Sequence, residues 1–202
     1  MMHVSSSSVL LARMSNPYLF ILTVVSDQVR ILHEQALFKE PGGAITPLHQ
    51  DQYYWPVDTE MAVGMWMPLV DVSMEMGPIL FASGSHREGY LGHLPISADS
   101  QRVLSQHVQA RGFATWQSEM RAGDATFHNG WLVHGASANE STTLRSAMVV
   151  TYYPSFTCAH NPFKNGSQRG DAQAFCGGVE EGGLADNDET NPVVWRRPQQ
   201  RL

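Results

Sequence analysis

Cysteine is scarce in this chain of 202 residues. There are two, Cys158 and Cys176, and no Cys-x-x-Cys. That excludes a disulfide framework and suits ordinary thiols in a reducing compartment, so a cytoplasmic protein is expected. Dense basic runs are also missing. Lys and Arg total 13 against a formal net charge of −6. The nearest thing to a cluster is Arg196, Arg197 and Arg201, which reads as a solvated tail. Nucleic acid is therefore not an expected partner. No apolar run is long enough to span a bilayer. The stretch Tyr18 to Val25, after a Ser-rich start at Ser5 to Ser8, reads as a buried N-terminal segment rather than a weak signal or transit sequence. No repeat or domain-sized linker appears. A hydrophobic fraction of 43% and a charged fraction of 16% describe one globular domain with a sizeable core.

Histidine, by contrast, is abundant, with nine residues. Two features of the pattern point to metal chemistry. In Pro47-Leu48-His49-Gln50-Asp51, a His and an Asp lie two apart, and in extended chain such residues face one side. An imidazole and a carboxylate aimed at one point need one more His to form a 2-His-1-carboxylate face with open positions. His134, in Trp131-Leu132-Val133-His134-Gly135, is the best candidate; the alternative is a core histidine. Then Arg145 heads an apolar strand, where Arg145, Ala147, Val149 and Thr151 share a face. A buried guanidinium demands an anion. A carboxylate gripped by two parallel hydrogen bonds fits, as 2-oxoglutarate would supply. A salt bridge to Asp71, Asp124 or another acid is the alternative.

The rest of the chain reads as mainly β. Ser26 to Phe38 is expected to be a helix, from Val29, Leu32, Ala36 and Leu37. Asp99 to Val108 reads as a second, brief helix. Between and after them, short apolar runs alternate with turn signals: Met61 to Val72, Ile79 to Ala82, Ala125 to Phe127 and Arg145 to Tyr153. Many short strands at such spacing predict a sandwich or jelly roll. The expected division is a helical lead-in over 1–38, a jelly-roll core over 39–153 and an irregular segment over 154–202.

The ordered set His49-Gln50-Asp51, Gly77-Pro78, Gly84-Ser85-His86, Gly123-Asp124, His134-Gly135 and Arg145 resembles the phytanoyl-CoA dioxygenase family of Fe(II)/2-oxoglutarate oxygenases. The resemblance runs from about Lys39 to Tyr153, with an echo in Asn191-Pro192-Val193-Val194. It implies a double-stranded β-helix (jelly-roll, cupin-like) fold with a few flanking helices, forming one oxygenase domain over 1–202. It makes His49, Asp51 and His134 the iron ligands and Arg145 the partner of the distal 2-oxoglutarate carboxylate. Trp66 matches a tryptophan near the co-substrate, and Gln50 falls where it can approach it. Lys39 matches a lead-in motif, as a co-substrate contact or as surface charge. Two departures stand out: Ala136 replaces a serine after the distal histidine, with Ser137 next to it, and Ser83 replaces a proline.

The activity implied is a non-haem Fe(II)/2-oxoglutarate-dependent dioxygenase. It would hydroxylate a small organic substrate with O2 while converting 2-oxoglutarate to succinate and CO2. With Asp51 present, no ligand position is freed for a halide, so hydroxylation or a related oxidation is expected. No Lys/Arg cluster for coenzyme A phosphates lies near the site, which favours a non-CoA small molecule. His128 is read as a substrate contact or a competing ligand, and Tyr53, Tyr54 and Trp55 as substrate mouth or core. The alternatives are a catalytically impaired binding protein of the same fold and, further off, a metal-dependent hydrolase.

Overall fold

The structure is a computed structural model that describes residues 9–12 and 26–198. The stretches Ser5 to Ser8 and Tyr18 to Val25 lie outside the described residues. Ten strands are present among those described: β1 (Val9–Ala12), β2 (Gln28–Lys39), β3 (Thr46–His49), β4 (Val63–Pro68), β5 (Ile79–Ala82), β6 (Thr115–Gln117), β7 (Ala125–Asn129), β8 (His134–Ala136), β9 (Arg145–Pro154) and β10 (Val193–Arg196). Two helices accompany them, α1 (Ala98–Arg111) and α2 (Gly166–Phe175). A six-stranded sheet runs β1-β7-β4-β9-β2-β10 and a four-stranded sheet runs β3-β8-β5-β6, every ladder antiparallel. This is the expected jelly roll. No helix among the described residues is long and apolar enough to cross a membrane.

The period-two alternation of the large sheet sets its two faces. Met65, Phe127, Val150 and Tyr152 bury one face together with Val29. The neighbouring positions Trp66, His128, Arg145, Val149 and Thr151 turn to the other side and line an internal cavity. The small sheet forms the opposing wall through β3 and β8. Its outer face is covered by α1. Ser97 caps that helix in a reciprocal capping box with Ser100, and Leu104 and Val108 pack on Leu48, Ala82 and Val133.

Residues 28–39 correct the expected N-terminal helix, because the chain there is strand β2. It pairs with β9 along its whole length, from Val29↔Pro154 to Lys39↔Arg145. The register shifts between Ile31 and His33, the mark of a bulge. Val29 packs in one core cluster with Met65 and Tyr152, and Leu32 in another with Trp55 and Tyr153, so both faces of the strand are covered here and two buried residues stand three apart. That spacing imitates one turn of helix.

The C-terminal segment is more ordered than its composition suggests. Asn165 caps α2 by accepting from the Gln168 amide at 2.9 Å, and β10 closes the edge of the large sheet on β2. Asn191 holds both in place. It is fully buried, and its amide nitrogen donates to the carbonyls of Ile31 (3.1 Å), Leu32 (3.1 Å) and Phe175 (2.9 Å). Arg30 Nη1 in turn donates to the Asn191 carbonyl at 2.6 Å and to Asp188 at 2.7 Å. Replacing Asn191 by Ala strands buried carbonyls. The expected loss is about 2–3 kcal/mol of stability, read as a lower urea midpoint at unchanged slope.

Candidate metal centre and its cavity

His49 ends β3 and His134 begins β8, and the two are directly paired across the ladder. Gln50 keeps an extended backbone (φ −121°, ψ 124°) before the chain turns into a short 3-10 helix at Asp51. Asp51 therefore returns to the same side as His49. Donor atoms of His49, Asp51 and His134 all lie within 4.8 Å of one another. His49 Nε2 is 3.4 Å from Asp51 Oδ1, and His134 Nε2 is 3.5 Å from Asp51 Oδ2.

Both imidazoles are oriented in the same way. His49 Nδ1 contacts the Pro47 carbonyl at 2.7 Å and His134 Nδ1 contacts the Leu132 carbonyl at 2.9 Å. A carbonyl oxygen can only accept, so each Nδ1 carries the proton and each Nε2 offers its lone pair toward Asp51. Burial pushes His134 down to about 3, and Asp51 beside it only partly opposes this, so its ring is neutral at physiological pH. Burial works against the Asp51 charge, but His134, His128 and His49 outweigh it and hold the carboxyl well below its usual range. Deprotonated, pre-oriented donors of this kind fit a divalent metal with nitrogen and oxygen ligands.

His128, on β7, also reaches the cluster. Its Nε2 lies 3.2 Å from Asp51 Oδ2, and its ring is 4.6 Å from that of His134. A carboxylate accepts, so His128 donates this hydrogen bond and holds Asp51 rather than offering a lone pair there. Gly64 makes room for it. A Cβ at that position would stand 2.8 Å from His128 Nε2 and 3.5 Å from Asp51 Oδ2.

Arg145 is buried and faces the same cavity. Its Nη1 donates to the Gly77 carbonyl at 2.7 Å, while its Nε has no partner among the described residues. Burial alone pushes its guanidinium down from the ordinary value, and no carboxylate offsets it. Asp71 and Asp124 instead accept backbone amides of Ala122 and Arg121. Trp66 packs its ring on the guanidinium, 5.6 Å from the guanidinium carbon to the ring centroid. Ser137 does not substitute for the serine that Ala136 replaces. Its hydroxyl is engaged with Gln117, and its carbonyl accepts from Lys39 Nζ at 2.7 Å. Gly77 adopts φ +67°, and a side chain there would collide with the Ser137 and Ala138 carbonyls.

Two expected co-substrate contacts are placed elsewhere. The Gln50 amide nitrogen donates to the carbonyls of Gly89 and Trp131, both at 2.7 Å, and its oxygen accepts from Leu91 at 3.1 Å. Its hydrogen-bonding groups are thus spent on holding loops, and it does not line the cavity. Lys39 faces Arg145 across the β2–β9 ladder but ties down Ser137 instead. In the Gly84-Ser85-His86 turn, the buried Ser85 hydroxyl accepts from the Val133 amide at 2.9 Å, one residue before His134. Tyr54 and Trp55 line the cavity, whereas Tyr53 meets His93. Missed in the sequence were His33 of β2 and Asp171 and Phe175 of α2, which complete the cavity wall.

A jelly roll holding a His/Asp/His face and an inward arginine in one cavity defines the class of non-haem, metal-dependent oxygenase folds. The family model described as Phytanoyl-CoA dioxygenase (PhyH) matches residues 8–147, and the chain belongs to this family. A phytanoyl-CoA dioxygenase of Arabidopsis thaliana is 28% identical over 120 residues, covering 58% of this chain and 42% of that protein. A probable alpha-ketoglutarate-dependent hypophosphite dioxygenase of Stutzerimonas stutzeri is 22% identical over 163 residues, covering 71% of this chain and 57% of that protein. The chain thus spans about half the length of these curated relatives. Among solved structures, the non-haem alpha ketoglutarate dependent carbocyclase SnoK from nogalamycin biosynthesis is 26% identical with a TM-score of 0.66, covering 83% of this chain and 64% of that one. EctD from S. alaskensis, solved with 2-oxoglutarate and 5-hydroxyectoine, shares the fold at a TM-score of 0.58 and 19% identity, over 77% of this chain and 59% of that one.

Gly64→Ala is expected to push His128 off Asp51 and weaken Fe(II) binding about 10- to 100-fold, measured by anaerobic titration calorimetry. Unchanged affinity would remove His128 from the support of Asp51. A second expectation concerns Lys39, which burial and then Arg145 lower to about 8. Between that value and the unfolded lysine value, the unfolded chain binds one proton more, so this residue makes stability rise with pH. The difference in urea midpoint between wild type and Lys39→Met should therefore grow in favour of the wild type from pH 8 to pH 10.

Proposed function

We propose that this chain is a non-haem Fe(II)/2-oxoglutarate-dependent dioxygenase that hydroxylates a small organic substrate. The observation that carries this reading is the joint presence of the His49/Asp51/His134 face and the unpaired side of Arg145 in one cavity. When bound, iron with 2-oxoglutarate and O2 supplies the oxidation of a C–H bond, coupled to release of succinate and CO2. Everything else falls to the chain's own residues. His49, Asp51 and His134 would hold the metal, three protein ligands that leave positions open for co-substrate and oxygen. Arg145 offers the guanidinium edge that a distal carboxylate requires, and Trp66 fixes the plane of that guanidinium. Aromatic and apolar walls from Trp55, Trp66, Ile79 and Phe175 limit water around the metal face.

Asp51 supports hydroxylation over halogenation, because its carboxylate fills the position that a halide would need. The cavity is about 350 Å³, and Arg145 is the sole Lys or Arg among the described residues that line it. Such a site suits 2-oxoglutarate with a compact second molecule, and it offers nothing for the phosphates of coenzyme A.

The test is anaerobic addition of Fe(II) and then 2-oxoglutarate to the purified chain. A visible charge-transfer band from the keto acid chelated on iron is expected, lost in Asp51→Ala and weakened at least about tenfold in apparent affinity in Arg145→Ala. Admission of O2 should then yield iron-dependent succinate. A folded chain that gives no band would overturn the reading and favour a binding protein of the same fold.

A further inference from the structure

The cavity has a second pole that the chemistry above leaves unused. Helix α2 presents Asp171 and, one turn on, Phe175 to it, and β2 adds His33. Asp171 makes no hydrogen bond or salt bridge with any described residue. Its charge is felt by Tyr54 and by the buried thiol of Cys176, and neither group can neutralise it. The Tyr54 hydroxyl accepts from the Ile96 amide at 2.7 Å, which leaves its own proton to give. His33 is nine-tenths buried, and its Nδ1 has no partner among the described residues. Its ring lies 4.9 Å from that of Phe175.

We propose that this pole binds the organic substrate as a small ammonium cation, with the charged nitrogen at Asp171 and an apolar body against Phe175, Tyr54 and His33. The proposal rests on the oxygenase reading only for what happens to the cation, not for its binding. Three observations carry it. First, the two poles have opposite charge. Arg145 selects a carboxylate at one, and the partnerless carboxylate of Asp171 selects a cation at the other. Co-substrate and substrate are thereby kept from exchanging places. Second, burial raises Asp171 to about 6 with no cation nearby to oppose it. A bound ammonium would supply the missing charge and draw the group back toward the ordinary carboxylate range. Third, the surrounding rings of Phe175 and Tyr54 suit a cation with apolar substituents, whose charge they stabilise through their faces. His33 lines the same cavity as His49, Asp51 and His134, so it can contact the body of a substrate that extends toward the metal face.

A matched pair of probes tests this: cyclohexylammonium and cyclohexanol, similar in shape and different in charge at pH 7.5. Each is titrated by calorimetry into the anaerobic full chain carrying Fe(II) and 2-oxoglutarate, and the charge-transfer band is followed in the same samples. The ammonium is expected to bind on the order of tenfold more tightly than the alcohol. Asp171→Asn, of nearly the same shape, should abolish that preference, while His33→Phe should weaken both probes and keep their ratio. Equal binding of the two probes to wild type, or a preference that survives Asp171→Asn, would overturn the proposal. The two readings fail separately. A charge-transfer band without an ammonium preference sinks only the substrate assignment. An ammonium preference without a band sinks only the oxygenase.

Discussion

The centre of this molecule depends on two short hydrogen bonds that the metal residues make to their own strands. His49 and His134 each give the Nδ1 proton to the carbonyl two residues earlier. Because the two residues face each other across the β3–β8 ladder, the same local geometry is presented twice, from opposite directions. The lone pairs then converge on a fixed point. Rotating either ring would cost a hydrogen bond to a buried carbonyl and place a proton where a lone pair is needed. The remaining parts of the site are supports for that convergence. His128 steadies Asp51, Gly64 gives His128 its place, and Ser85 secures the amide next to His134.

Opposed forces set the electrostatics of the cavity. Three histidines and one carboxylate crowd together, and burial penalises every charge among them. The balance keeps Asp51 ionised and His134 neutral, which is the protonation state a divalent cation requires. Arg145 shows the reverse case. It is buried with one carbonyl and one indole face for company, so its charge is incompletely answered by the protein itself. An enclosed guanidinium in that condition is costly unless something anionic arrives.

Much of this was legible in the chain because it is written in short-range spacing. A two-residue offset put His49 and Asp51 on one side, and the same rule aligned Arg145, Val149 and Thr151 on one face of β9. The assignments that failed depended on partners distant in sequence. Residues 28–39 looked helical because β2 is covered on both faces, which buries Val29 and Leu32 three positions apart in different clusters, and those clusters form only when β2 lies beside β9. Gln50 looked available to a co-substrate because the carbonyls that occupy it come from Gly89 and Trp131. His33, Asp171 and Phe175 carried no local signal, since a His in an apparent helix and an Asp in a Gly- and Asn-rich tail are ordinary. Topology alone makes them neighbours.

The buried amide of Asn191 ties two parts of the cavity wall together. One side chain grips β2 just before His33 and, at the same time, the last turn of α2 at Phe175. Among the described residues it makes no hydrogen bond to β3, β7, β8 or β9, which carry His49, His128, His134 and Arg145. The wall that carries Asp171 and Phe175 is thus joined to β2 at the end of α2 through Asn191, while Asn165 at its start donates to the Tyr53 carbonyl at 2.9 Å. Substitutions at Asp171 or Phe175 can therefore change that part of the cavity lining without removing the hydrogen bonds that orient His49 and His134.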